Sequence, residues 1–411
     1  MRPSITYLFQ FLTVALLLGC GGGSSSVNAV SVTTAATPSC PNGARGAASG
    51  VGATPSTPIA QLPLDKRPAA LAAAIGTPSR LLVGLGTVDL ASVQAQSLQV
   101  DIYDQYLAGV GPAAWPNYNS PSGAYVQIVA NNADCLGAVP MYTLYQMATN
   151  GDGNLSGLSD TSFMTQYWTN VRLLFTLLKT YGKPALVNFE PDFWGYAQRA
   201  NSDPTKLLAQ VSQVSGGDCS TLSNDVVGVA GCLVQMARKY APNAYVGFPP
   251  SMFSDVAATE KAYMKRIGAD KADFAVMQTL DRDIGCIEAA YAPANCNRVG
   301  DAKIWDESNL TSPSFKDHFT YARSYFEAIG LPLLWWQTPL GVPSSTPGGS
   351  VGAFRDNRAR YFLTHTTELT AAGGMGVVFS PGHPSQTTIN SDAGQFKTLS
   401  TNYLAKTAPL P

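Results

Sequence analysis

The stretch from Pro184 to Tyr196, PALVNFEPDFWGY, sets two carboxyl groups, Glu190 and Asp192, directly behind an apolar run and follows them with Phe193, Trp194 and Tyr196. A second acidic spot closes another apolar run, where VMQTLDRD ends on Asp281 and Asp283. Paired carboxyls suit general acid–base work, in which one group delivers a proton and the other takes one or attacks. The structural rivals are a strand-terminal glutamate held by an arginine, and a loop ion pair of Asp281 or Asp283 with Arg282, Arg298 or Arg355. Other chemistries have less behind them. There is no G-x-S-x-G elbow and no C-x-x-C pair, and His318, His365 and His383 are far apart, so neither a serine nucleophile nor a zinc site is expected. The turn NGDGNLSG from Asn150 alternates oxygen-bearing residues like a calcium loop, but Leu155 and Thr161 fill its sixth and twelfth positions, so it reads as a polar turn. No metal and no cofactor is expected.

Eight short apolar runs could position these groups: RLLVGLG from Arg80, QVDIYDQYL from Gln99, GAVPMYTLYQM from Gly137, PALVNFEPD from Pro184, AYVGFPPS from Ala244, DFAVMQTLDRD from Asp273, PLLWWQTPLG from Pro332 and GMGVVFSPG from Gly374. Stretches with helical period lie between them, such as Phe163, Tyr167, Val171, Leu174, Phe175 and Leu178. Strand alternating with helix eight times, without close strand pairs for hairpins, predicts a single α/β domain, a (β/α)8 barrel over residues 76–405. Its second unit is the weakest, because Asp101 and Asp104 interrupt the apolar run and 113–130 reads as loop. The alternative is an open doubly wound sheet, but GLGTVD after Leu82 lacks the third glycine and the helix start of a phosphate-binding turn. Function in a barrel collects at the strand exits. Alternation along the fourth strand puts Leu186, Asn188 and Glu190 on one face; with Phe189 packed on the helices, Glu190 and Asn188 point into the barrel.

Aromatic side chains at strand ends offer flat apolar faces with polar tips, which suit the C–H faces of sugar rings. Tyr142, Tyr145, Trp194 and Trp335 are the candidates, although only one of Trp335 and Trp336 can face inward. Asn188, Gln146, Gln337 and Asp192 are candidates to bind hydroxyls.

A glutamate closing strand four before a proline resembles the acid/base of clan-A glycoside hydrolases, where the pattern is Asn-Glu-Pro. Asn188-Phe189-Glu190 is similar to the D-x-E strand ending of chitinase-type and lysozyme-type barrels. The chain also resembles secreted bacterial barrel proteins that carry E-P-D-F-W-G-Y, a D-R-D strand end and W-Q-x-P-L-G, over residues 80 to 385. The resemblance implies a glycoside-hydrolase-like barrel acting on carbohydrate. Two departures stand against a whole transfer: Gln337 occupies the strand-seven position of the clan-A nucleophile, and Asn188 the first position of D-x-E. With Glu190 as acid, the second carboxyl is expected from Asp281, with Asp283 in reserve and Asp192 third. A separation of about 5 to 5.5 Å would give retention and about 6.5 to 9.5 Å inversion. The alternatives are a surface protein that binds glycan without cleaving it, and a barrel enzyme of another class such as a lyase.

The N-terminus points to export. An apolar run from Ile5 to Leu18 ends in Leu17-Leu18-Gly19-Cys20, which resembles a bacterial lipobox and implies acylation of Cys20 and sorting to the outer membrane; a cleaved signal with an incidental cysteine is the rival. Residues 21–75 read as a flexible tether. Charged residues are 13% of the chain against about 25% in an average protein, and the net charge of -1 offers nothing to a polyanion, so nucleic acid is not an expected partner. The expected partners are a carbohydrate and, through the lipid alone, a membrane; the chain is expected to be a monomer. Besides Cys20, the cysteines Cys40, Cys135, Cys219, Cys232, Cys286 and Cys296 form an even set suited to disulfides. Cys219 with Cys232 and Cys286 with Cys296 are close enough to staple single loops, leaving Cys40 to Cys135. Spacing does not fix the pairing.

Overall fold

The computed structural model describes residue 40 and residues 58–253, 257–279, 305–341, 357–381 and 387–411. Cys20, Asp281, Asp283, Cys286 and Cys296, with the expectations placed on them, lie outside the described residues. Eight parallel strands close into a barrel in chain order: β1 (Leu82–Gly86), β2 (Ile102–Ala108), β3 (Val139–Tyr145), β4 (Ala185–Phe189), β5 (Ala244–Phe248), β6 (Phe274–Met277), β7 (Leu333–Thr338) and β8 (Gly374–Phe379). Each coincides with one of the eight apolar runs. Around them lie α1 (Arg67–Ala74), α2 (Leu90–Ala95), α3 (Ala124–Leu136), α4 (Thr161–Tyr181), α5 (Phe193–Ala200), α6 (Val226–Tyr240), α7 (Glu260–Arg266), α8 (Phe315–Ile329), α9 (Arg358–Thr364), α10 (Thr366–Ala371) and α11 (Gln395–Leu404).

The strands read as nearly continuous apolar runs because both of their faces are covered. Leu82, Ile102, Met141, Leu186, Val276, Leu334 and Trp336 fill the barrel, and α1 closes its lower end with Leu71 and Ile75 in the same cluster. The other parity, including Val83, Tyr103, Tyr142, Val187, Phe189, Met277 and Trp335, packs outward on the helices. Asp101, one of the two acids that blurred the second unit, meets Arg80 at 2.7 and 2.8 Å below the strands.

The region read as loop after the second strand is partly helical: a 3-10 turn covers Trp115–Asn117 and α3 begins at Ala124. No side chain caps α3. It starts after Gly123, whose φ of 82° a glycine adopts without strain, and its buried stripe contains small alanines. By contrast, α4 announces itself. Asp160 accepts from the N–H groups of Ser162 and Phe163, Gly182 ends the helix at φ 73°, and Tyr167, Val171, Leu174, Phe175 and Leu178 are buried.

Two disulfides join Cys40 to Cys135 and Cys219 to Cys232. Such bonds form and persist in oxidising, extracytoplasmic compartments. Among the described residues no helix is long and apolar enough to cross a membrane.

Candidate active site

Glu190 follows the last residue of β4, and its N–H still donates to Leu144 O at 2.8 Å. Its φ is 53°, in the left-handed region that non-glycine residues seldom occupy and that collects at functional sites. This turn breaks the alternation that would have aimed the side chain with Asn188 into the barrel. The carboxyl instead swings toward the segment after β3, where Oε2 accepts from the N–H groups of Gln146 at 2.9 Å and Met147 at 3.0 Å. The Tyr167 hydroxyl of α4 faces the same carboxyl at a geometry short of a hydrogen bond, and Oε1 has no partner among the described residues.

Glu190 is fully buried. Burial pushes its carboxyl up to about 8, against the opposing pull of the Met147 and Gln146 N–H groups and of Tyr167. The acid is therefore protonated at neutral pH. Beside it, Met147 and Pro191 help to line a small cleft, open to solvent, whose walls include Tyr145, Asp152, Asp192 and Tyr196. Burial, then the charges of Asp192 and Asp152, raise the Tyr145 hydroxyl, which donates to Asp152 at 2.7 Å.

A second polar group lies inside the strand exits. Asp104 on β2 has no exposure; Oδ1 accepts from the Thr143 hydroxyl at 2.9 Å and Oδ2 from the Trp336 indole at 3.0 Å. Burial raises this carboxyl to about 7, the two hydrogen bonds opposing it. Asn188 reaches Thr143 at 3.5 Å. Above, Tyr106 stands edge-on to Tyr145 at 5.9 Å and beside Trp336 at 5.8 Å, and Gln337 donates to the Tyr106 hydroxyl at 2.8 Å. Gln337 also has a positive φ, 53°, next to a register shift between β7 and β8.

Tyr145 and Asp192 thus line the cleft, Glu190 and the Gln146 backbone lie buried behind its Met147 and Pro191 walls, and Asn188 and Gln337 stand around the inner polar group. Three candidates go elsewhere. Tyr142 faces outward and donates to Val126 O of α3. Trp194 donates to Phe189 O and packs on Phe193 and Phe248 in the core. Trp335 lies on the outward parity, bound to His318, and Trp336 takes the inward place. The Gln146 side chain is likewise internal, its Oε1 accepting from Asn170 and, at 3.3 Å, from Trp115. Asp104 was missed as a site residue because an acid inside an apolar run reads as an interruption. Its signal was parity: Ile102, Asp104 and Tyr106 share one face.

No protein-family model matches the chain, and no curated protein matches it in sequence. Among solved structures, an endo-1,4-β-D-mannanase from Thermotoga petrophila RKU-1 is similar over 79% of this chain and 100% of its own, with 11% identity and a TM-score of 0.43. A glycoside hydrolase family 30 subfamily 8 xylanase from Clostridium acetobutylicum covers 80% of this chain and 72% of its own, at 10% identity and a TM-score of 0.42. A D-allulose 3-epimerase from Methylomonas sp. covers 79% and 99%, at 10% identity and the same TM-score of 0.42. These distant likenesses are of fold alone.

Proposed function

We propose that the protein is an exported enzyme that hydrolyses a glycosidic bond, with Glu190 as proton donor and the second carboxyl drawn from Asp281, Asp283 or Asp192. The observation that carries this reading is the state of Glu190. A general acid must hold its proton at the working pH, and a carboxyl raised to about 8 at a strand exit does so. Once the proton has left, the charge on the carboxylate is received by the Gln146 and Met147 N–H groups already in place. The proton resides on Oε1, which has no hydrogen-bond partner among the described residues. The adjacent cleft supplies aromatic walls and a carboxylate, Asp192, for the sugar and its attacking water. In this reading the leader and Cys20 carry the chain to the outer membrane as a lipoprotein.

A second reading, a barrel that binds glycan without cleaving it, is favoured by two specific observations. Glu190 has no exposure, and the exit of β7 presents the amide of Gln337. Replacing Glu190 by Gln separates the two. For the enzyme, release of reducing ends from a polysaccharide panel should fall by about 10²- to 10⁴-fold while binding survives. Binding by the wild type without any release assigns the binder, and the absence of both ends the carbohydrate reading.

A further inference from the structure

Inside the strand exits the protein leaves hydrogen-bonding capacity unused. Asn188 Oδ1 on β4 and the Ser380 hydroxyl just after β8 have no partner among the described residues, although neither residue is more than 1% exposed. The Gln278 amide nitrogen, two residues beyond inward-facing Val276, is also unpartnered. Asp104 connects the first two. It reaches Asn188 through Thr143, and across Gly86 it neighbours Ser380: a Cβ on Gly86 would lie 2.9 Å from Asp104 Oδ2 and 3.3 Å from Ser380 Cβ. Unpaired polar atoms at such depth are costly and rare, and several on one face call for an occupant.

The chemistry of the groups restricts that occupant. A carboxyl and an amide oxygen accept, an amide nitrogen donates, a hydroxyl does both, and none of the four is cationic. An anion would meet Asp104, and a metal cation would meet the Gln278 N–H groups. An uncharged group that both donates and accepts, with an apolar face for the Trp336 and Tyr106 rings, fits. Resting on the carbohydrate reading above, we infer that Asp104, Asn188, Gln278 and Ser380 form the polar floor of a subsite that receives the hydroxyl groups of one neutral sugar unit, with Trp336 as its wall.

Calorimetric titration with cello-, xylo-, manno- and N-acetylchito-tetraose, and with tetragalacturonate as the charged counterpart, tests this on wild type, Ser380→Ala and Asp104→Asn. At least one neutral tetraose should bind, and Ser380→Ala should weaken it about three- to tenfold, the effect of one hydrogen bond. Its unfolding midpoint should not fall, since the deleted hydroxyl has no partner to lose among the described residues. Asp104→Asn should weaken the same ligand. Unchanged affinity in a folded Ser380→Ala protein, or tetragalacturonate bound in preference to the neutral sugars, overturns the floor while leaving the carbohydrate reading intact. Failure of the wild type to bind any tetraose or panel polysaccharide ends both.

Discussion

Gly86 and Asp104 share one volume: the hydrogen on Gly86 is what lets the carboxyl oxygen lie beside β1 and meet the Trp336 indole. Gly86→Ala should therefore cost about 1 to 3 kcal/mol, because the added carbon displaces a buried, hydrogen-bonded group in a packed interior. Thermal or urea unfolding measures the loss. The double variant with Asp104→Ser should recover part of it, whereas strict additivity would show that the clash lies elsewhere. Glu190 and Gln337 share another property of this scale, a left-handed backbone at the end of a strand. Alternation predicts side-chain direction only while φ and ψ stay extended, so the position of Glu190 at an exit was legible and its aim was not. Asp281 and Asp283, the first two candidates for the second carboxyl, fall outside the described residues.

Among the elements, the eight strands were legible because runs buried on both faces leave an unbroken apolar signature bounded by polar residues. Phase was harder to read. PLLWWQ shows that one tryptophan must face in and one out, but the choice of Trp336 over Trp335 depends on which neighbours await each: Asp104 inside, His318 outside. Among the helices, α4 with its long apolar stripe and Asp160 cap was legible; α3, opened by a glycine, was not, nor was the short α2, which starts directly after GLGTVD although no helix start was read there and Asp89 caps it. Of the capped helices, α4 bears most directly on the site, since it contributes Tyr167 beside Glu190 and Asn170 beside Gln146. Asp160→Ala removes two hydrogen bonds from its first turn and should lower stability by about 0.5 to 2 kcal/mol. A loss confined to unfolding free energy, with ligand affinity retained, fits a cap two turns from the site. A loss of affinity at full stability contradicts it.

For the molecule as a whole, buried acids tie stability to pH. Burial raises Glu190 and Glu260 to about 8 and Asp104 to about 7, well above the values of about 4 that such groups have in an unfolded chain. Below pH ~4 these groups are protonated in both states and cost nothing. As pH rises from there toward 8, the unfolded chain gains by ionising and the folded one does not. Their contribution to stability is thus lost across that window, and the loss ends once the folded groups ionise. Urea unfolding between pH 5 and 9 should show the decline, and Glu190→Gln should flatten it by one proton's share; a profile that rises with pH, or that Glu190→Gln leaves unaltered, would contradict it. The Cys40–Cys135 bond acts at the same scale, since Cys135 sits at the end of α3 that feeds β3 from below. Residue 40 is thereby pinned to the underside, with the depth of the molecule between it and the strand exits. Were the protein held at a membrane through Cys20, as proposed above, its attachment would leave from the side opposite the strand exits, and long polymers could reach those exits without first threading past the supporting surface.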